Sequence, residues 1–210
     1  MNKSLSLLLF AALIIALSCK SNPKTDAKQQ ETTNSENTSL AALSDADVAE
    51  YTAKGKQIAQ ASFKTLAGNL KNAMKSGGPV EAIKFCNLKA NPLVDSLSQA
   101  HHAVIKRTSS KLRSPANAPS ELEAKQLVAY MEDVKANKPL QPKVVLTPDN
   151  KVQFFAPIKT KAVCLKCHGA ADGDKLPKHY KVIQELYPND QATGYKEGEL
   201  RGIWSIQLDR

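Results

Sequence analysis

The sequence predicts an α+β fold with a long N-terminal helix, and three observations predict it. Apolar residues recur at helical spacing through the first half of the ordered chain, alternate as in strands toward its end, and are separated by turn-rich segments. The 210 residues leave room for one domain beyond a leader and a linker.

The leader is MNKSLSLLLFAALIIALSC, with Lys3 as its basic start, an apolar run from Leu5 to Leu17, and small residues before Cys19. That pattern predicts a signal peptide over 1–18. The apolar run is shorter than the roughly 20 residues a spanning helix needs. Ala16-Leu17-Ser18-Cys19 resembles the lipobox of bacterial lipoproteins, which implies a lipidated Cys19 and a protein held on a membrane, facing the periplasm. Residues 19–43 are polar enough to predict a flexible tether, which leaves 44–210 as the folded domain.

Order is predicted to begin at Ser44, three residues before Asp47, in a helix carrying Val48, Tyr51, Ile58, Leu66 and Leu70 and ended by Gly77-Gly78. Pro79 opens the next helix, where Val80, Ile83, Cys86 and Ala90 share one face, so Cys86 is expected to point inward. Asn91 is the expected cap of a short helix with Pro92 in its first turn. His102 to Thr108 is expected as a strand. Ser120 and Glu123 form a capping box for a helix with Leu127, Met131 and Val134 as its apolar stripe, ending near Asn137. Lys143–Leu146 and Lys151–Ala156 flank the turn Thr147-Pro148-Asp149-Asn150 and predict a hairpin. Lys181–Leu186 predicts a short helix. In the closing RGIWSIQL, Trp204, Ile206 and Leu208 alternate as in a half-buried strand.

Cys164-Leu165-Lys166-Cys167-His168 is the C-x-x-C-H signature of c-type haem attachment, one haem per motif. The spacing offers two thiols for thioether bonds and an adjacent imidazole for the iron. A redox C-x-x-C, a zinc site with Cys86 as further ligand, and a plain disulfide compete with this reading, but none needs His168 where it is. Cys86, His101, His102, His179, Met74 and Met131 are the candidates for the other face of the iron. Met74 and Met131 also suit core packing, as does Cys86, since free cysteine is commonly buried.

Net charge is +9, which favours acidic partners or anionic surfaces, while the export signal argues against nucleic acid. Lys151, Lys159, Lys161, Lys166, Lys175, Lys178 and Lys181 surround the motif against Asp172 and Asp174, a basic rim suited to an acidic redox partner.

From about Gly77 onward the chain resembles the c-type haem domains of PAS-like fold, found alone in cyanobacteria and as periplasmic sensor modules of bacterial signalling proteins. The resemblance rests on Gly78-Pro79, Ala82-Ile83, Cys86, Arg107-Thr108-Ser109, Arg113, Pro115, Asn117 and Pro157-Ile158. Beyond the motif it continues in Tyr187-Pro188, Asp190, Ala192, Gly194-Tyr195 and Arg201-Gly202. Ser114, where the family more often has Asn, and Leu122, where an aromatic is common, depart from it. The resemblance implies a PAS-like antiparallel sheet flanked by helices and makes Cys86 the second axial ligand. A thiolate donor favours ferric iron, so a low reduction potential and a low-spin ferric state are expected. Arg107 and Arg113 are candidates to bind the haem propionates, since guanidinium forks suit carboxylates.

These features predict a membrane-tethered, single-haem cytochrome in electron transfer or redox sensing, rather than an enzyme. A sensor of small gaseous ligands that signals through a separate partner is the alternative. A haem peroxidase using His101 or His102 ranks last.

Overall fold

The computed structural model describes residues 42–170 and 179–210. The signal peptide, Cys19, nearly all of the tether, and Asp172, Asp174, Lys175 and Lys178 of the basic rim lie outside the described residues. Among the described residues no helix is long and apolar enough to cross a membrane.

The fold is α+β. Helix α1, Asp45–Leu88, starts at Ser44, whose hydroxyl accepts the Asp47 N–H while the Asp47 carboxylate accepts the Ser44 N–H. It is broken at Gly77–Gly78, where Gly78 takes φ 67° and ψ −158°, a region open in practice only to glycine. Pro79 starts the second arm, where its missing N–H goes unnoticed. Helix α2, Ala90–His101, begins earlier than Asn91, which is inside the helix rather than its cap. Pro92 remains in the first turn, where N–H groups have no helical partner anyway. His102, expected in the strand, instead ends α2 with φ 47°.

Strand β1, Val104–Thr108, is followed by a 3-10 turn at Pro115–Asn117 and by helix α3, Glu121–Lys135, whose Ser120–Glu123 capping box is present. Strands β2, Lys143–Leu146, and β3, Val152–Lys159, form the expected hairpin, with Asn150 at φ 59° in the turn. Helix α4, Leu165–His168, carries the end of the motif, and α5, Tyr180–Leu186, precedes the last strand, β4, Leu200–Leu208. All pairings are antiparallel, in the order β1-β4-β3-β2. Pro157 lies past the end of β2, so its missing N–H costs no ladder bond.

β4 is buried on both faces, not half-buried. Trp204, Ile206 and Leu208 join Val152, Phe154, Ile58, Leu66 and Val94 in one core between the sheet and α1 and α2. Ile203 and Phe155 face the other way, against Leu127 and Tyr130 of α3. The inward face of α3 is therefore Glu123, Leu127 and Tyr130, while Met131 and Val134, expected in the stripe, are 41% and 46% exposed. Tyr130 fixes this layer by donating its hydroxyl to the carbonyls of Gln141 and Phe155.

A Cβ on Gly55 would fall 2.2 Å from Cγ of the fully buried Phe154, whereas one on Gly68 would meet nothing within 4 Å. Overpacking of this kind costs about 1–3 kcal/mol against a helix gain of about 1 kcal/mol. Gly55→Ala should therefore lower the thermal midpoint and Gly68→Ala should not; equal midpoints would refute the close approach.

Burial pushes the Glu123 carboxyl pKa up, but hydrogen bonds from Lys106, the Ser120 N–H and Ser205 outweigh this and hold it below the ordinary glutamate range. A depressed folded pKa adds stability above the unfolded value and loses it as pH falls through the folded one. In urea titrations, the advantage of wild type over Glu123→Gln should shrink as pH drops from about 5 to 3.

Candidate cofactor site

A cleft of about 300 Å³ opens between the second arm of α1, the end of β1, the bulged edge of β4 and the motif. The bulge arises because Gly202 pairs with Ile158 and Leu200 with Lys159, leaving Arg201 as the extra residue, and all but Leu200 line the cleft. The structure thus brings Cys86, Cys164, His168, Arg107 and Arg113 to one cavity.

His168 ends α4 and its Nδ1 lies 2.8 Å from the Ala192 carbonyl oxygen. Burial first, then the guanidinium charges of Arg113 and Arg201, hold its pKa down at about 3, so the ring is neutral at physiological pH. A carbonyl only accepts, so Nδ1 carries the proton and Nε2 keeps a bare lone pair. The Tyr195 ring meets the imidazole edge-on at 6.3 Å and 88°. Backbone bonds from Tyr195 N–H to the His168 carbonyl and from Gly194 N–H to the Gly169 carbonyl fasten the motif to the 187–198 loop.

Arg113 joins the same two segments. Its Nη2 donates to the carbonyls of Cys167, at 2.6 Å, and Ala192, at 3.2 Å, and Nε and Nη2 both reach Oδ2 of Asp190. Two of its three side-chain nitrogens are therefore occupied by the protein. Arg107, by contrast, makes no hydrogen bond or ion pair among the described residues; it lies 5.8 Å from the centroid of the Trp204 ring, and burial depresses its pKa. Arg201 donates to the Lys111 carbonyl and lies over the Tyr195 ring.

Cys86 is exposed, and the face it exposes is cleft wall; on the same arm Ala82 and Ile83 are the buried residues. The inward direction expected for it is thus toward the cavity, not into the core. Crowding by neighbouring atoms raises the thiol pKa, and the nearby Arg107 charge pulls it back. Cys164 lines the cleft and accepts the Lys161 N–H at 3.3 Å. Cys167 packs beside Ile83, Tyr180, Ile183 and Tyr187, and burial raises its thiol pKa. All three are free thiols. Among the described residues no group of three or more His, Cys, Asp or Glu side chains is arranged to hold a metal ion.

The other candidate iron ligands lie elsewhere. Met74, Met131, His101 and His102 are not among the residues that line the cleft, and His179 instead has Nε2 2.8 Å from the Lys166 carbonyl. Lys159, Lys161, Lys166 and Lys181 are exposed, but Lys151 pairs with Asp209 at the opposite end of β3. Asp190, Ala192, Tyr195 and Arg201 were absent from the predicted site residues, although all four stand in the segments that carried the family resemblance.

A family model described as Tll0287-like: Tll0287 matches residues 21–208. No curated protein matches. The crystal structure of the cyanobacterial heme-protein Tll0287 is similar at 24% identity with a TM-score of 0.55, over 80% of this chain and 98% of that one, which shows a shared fold. This chain belongs to the Tll0287-like family.

Proposed function

We propose that this chain is a haem-binding protein, a single-haem c-type cytochrome of PAS-like fold that works in electron transfer or redox sensing and not as an enzyme. The observation that carries the reading is the neutral His168, its Nδ1 given to Ala192 and its Nε2 bare, in a cleft shared with Cys164 and Cys86. The heme-protein relative supports the cofactor, and the antiparallel sheet in which the first strand pairs with the last supports the PAS-like reading.

Cys164 and Cys167 supply the thiols for covalent attachment, and His168 and Cys86 supply the axial donors. A haem held there would supply the iron and its one-electron chemistry. Arg107 and Arg201 bring positive charge to a cleft that would otherwise hold it uncompensated, which suits the two propionates; Arg113 is already engaged. Phe63, Leu66 and Phe85 line the cleft with apolar surface, which suits a porphyrin face. Lipid at Cys19 would tether the domain to a bacterial membrane on its periplasmic side, and the exposed lysines beside the motif suit an acidic redox partner.

Sensing of small gaseous ligands is a second reading, favoured by one feature. Burial favours the protonated form of the Cys86 thiol, and a neutral thiol would hold iron less tightly than a thiolate, which would leave that side open to exchange. His101 and His102, which a peroxidase reading would bring to the iron, are not among the described residues that line the cleft.

Full-length protein made in cells that attach haem should keep haem through denaturing electrophoresis, and Cys164→Ser with Cys167→Ser should lose it. Haem released from wild type under those conditions would sink covalent attachment. Cys86→Ala should keep covalent haem while its ferric spectrum changes and its reduction potential rises; an unchanged ferric spectrum removes Cys86 from the iron. Wild type that forms no carbon monoxide complex supports electron transfer, and reversible displacement supports sensing.

A further inference from the structure

The bonds around His168 form a closed circuit that the axial role alone does not require. Ala192 is held at both ends: its N–H donates to Oδ1 of Asp190 at 2.8 Å, and its carbonyl receives both His168 Nδ1 and Arg113 Nη2. Asp190 in turn receives Arg113 through Oδ2 at 3.0 Å. Arg113 and Asp190 are nearly buried, with 12% and 5% of their side chains exposed, so the pair is little screened by solvent. The same guanidinium holds the Cys167 carbonyl, one residue before the imidazole. One ion pair therefore fixes the acceptor and the backbone that carries the donor.

We propose that Arg113 and Asp190 are positioning residues for the axial imidazole, a clasp that sets the orientation and basicity of His168 and so tunes the iron without touching it. The proposal rests on the reading that His168 ligates haem iron. A hydrogen bond from Nδ1 to a fixed carbonyl raises the donor strength of Nε2, and a loosened carbonyl weakens it. Stronger donation favours ferric over ferrous iron, so the clasp lowers the reduction potential. Asp190→Asn keeps one acceptor oxygen for the Ala192 N–H but loses the charge that holds Arg113. Arg113→Lys keeps the charge but loses the fork that reaches three partners.

The test uses full-length holoprotein with covalent haem content measured first. Asp190→Asn should retain covalent haem, show a higher reduction midpoint than wild type, and shift the paramagnetic NMR resonances of the His168 ring. Arg113→Lys should move both readouts the same way, and supplies the result where Asp190→Asn carries no haem. Wild-type midpoint and unshifted His168 resonances in a haem-loaded variant would overturn the clasp while leaving the cytochrome reading intact. A wild-type protein without haem, or a His168→Ala protein with the wild-type spectrum, would overturn the cytochrome reading and the clasp with it.

Discussion

A neutral imidazole has two nitrogens and one proton, and a carbonyl oxygen accepts but never donates. The Ala192 oxygen, 2.8 Å from Nδ1 of His168, therefore decides which nitrogen faces the cleft bare. Most of the surrounding structure serves that bond. Tyr195 and Gly194 tie the loop to the end of α4, and Arg113 reaches across to Asp190, Ala192 and Cys167. Burial keeps the ring neutral, since the charged form would be poorly solvated beside two guanidinium groups. A cationic histidine there would have no lone pair to offer.

The sheet places this loop and the cleft. β4 runs through the middle, buried on both faces, so its position is fixed by packing from α1 and α2 on one side and α3 on the other. Its bulge at Arg201 turns one residue out of the ladder at the cleft rim. β1 delivers Arg107 beside Trp204 of the same strand pair. Strands thus carry two of the cleft's guanidinium groups, Arg107 on β1 and Arg201 on β4, while Arg113 comes from the segment after β1.

Features decided by neighbours in sequence were legible in it. Ser44 with Asp47, Ser120 with Glu123, Gly77-Gly78-Pro79 and the Thr147–Asn150 turn each satisfy backbone groups within a few residues, so composition alone reveals them. The motif was legible for the same reason. Met131 and Val134 show where this stops: their spacing fits a helix face, but the sheet meets the face carrying Leu127 and Tyr130. Alternation in β4 revealed one buried face, and only the distant α3 buries the other. Spacing puts Cys86 on an inward helix face, whereas the side chain lines an open cleft, and no local signal separates a core wall from a cavity wall. Asp190 and Arg113 are 77 residues apart, and nothing near either one announces their pairing.

The break at Gly77–Gly78 has a mechanical consequence. Before it, Ile58 and Leu66 belong to the core beneath the sheet; after it, Ile83 belongs to a separate cluster with Tyr180, Ile183 and Tyr187. The cleft touches both, through Leu66 on one side and Tyr187 on the other. Clusters of this kind open with their own free energies, and a molecule that binds only the joined arrangement raises both by the same mass-action term. A rigid helix would couple the two clusters permanently, whereas a glycine joint lets each open with its own free energy, the second arm reaching back to the first core through Phe85.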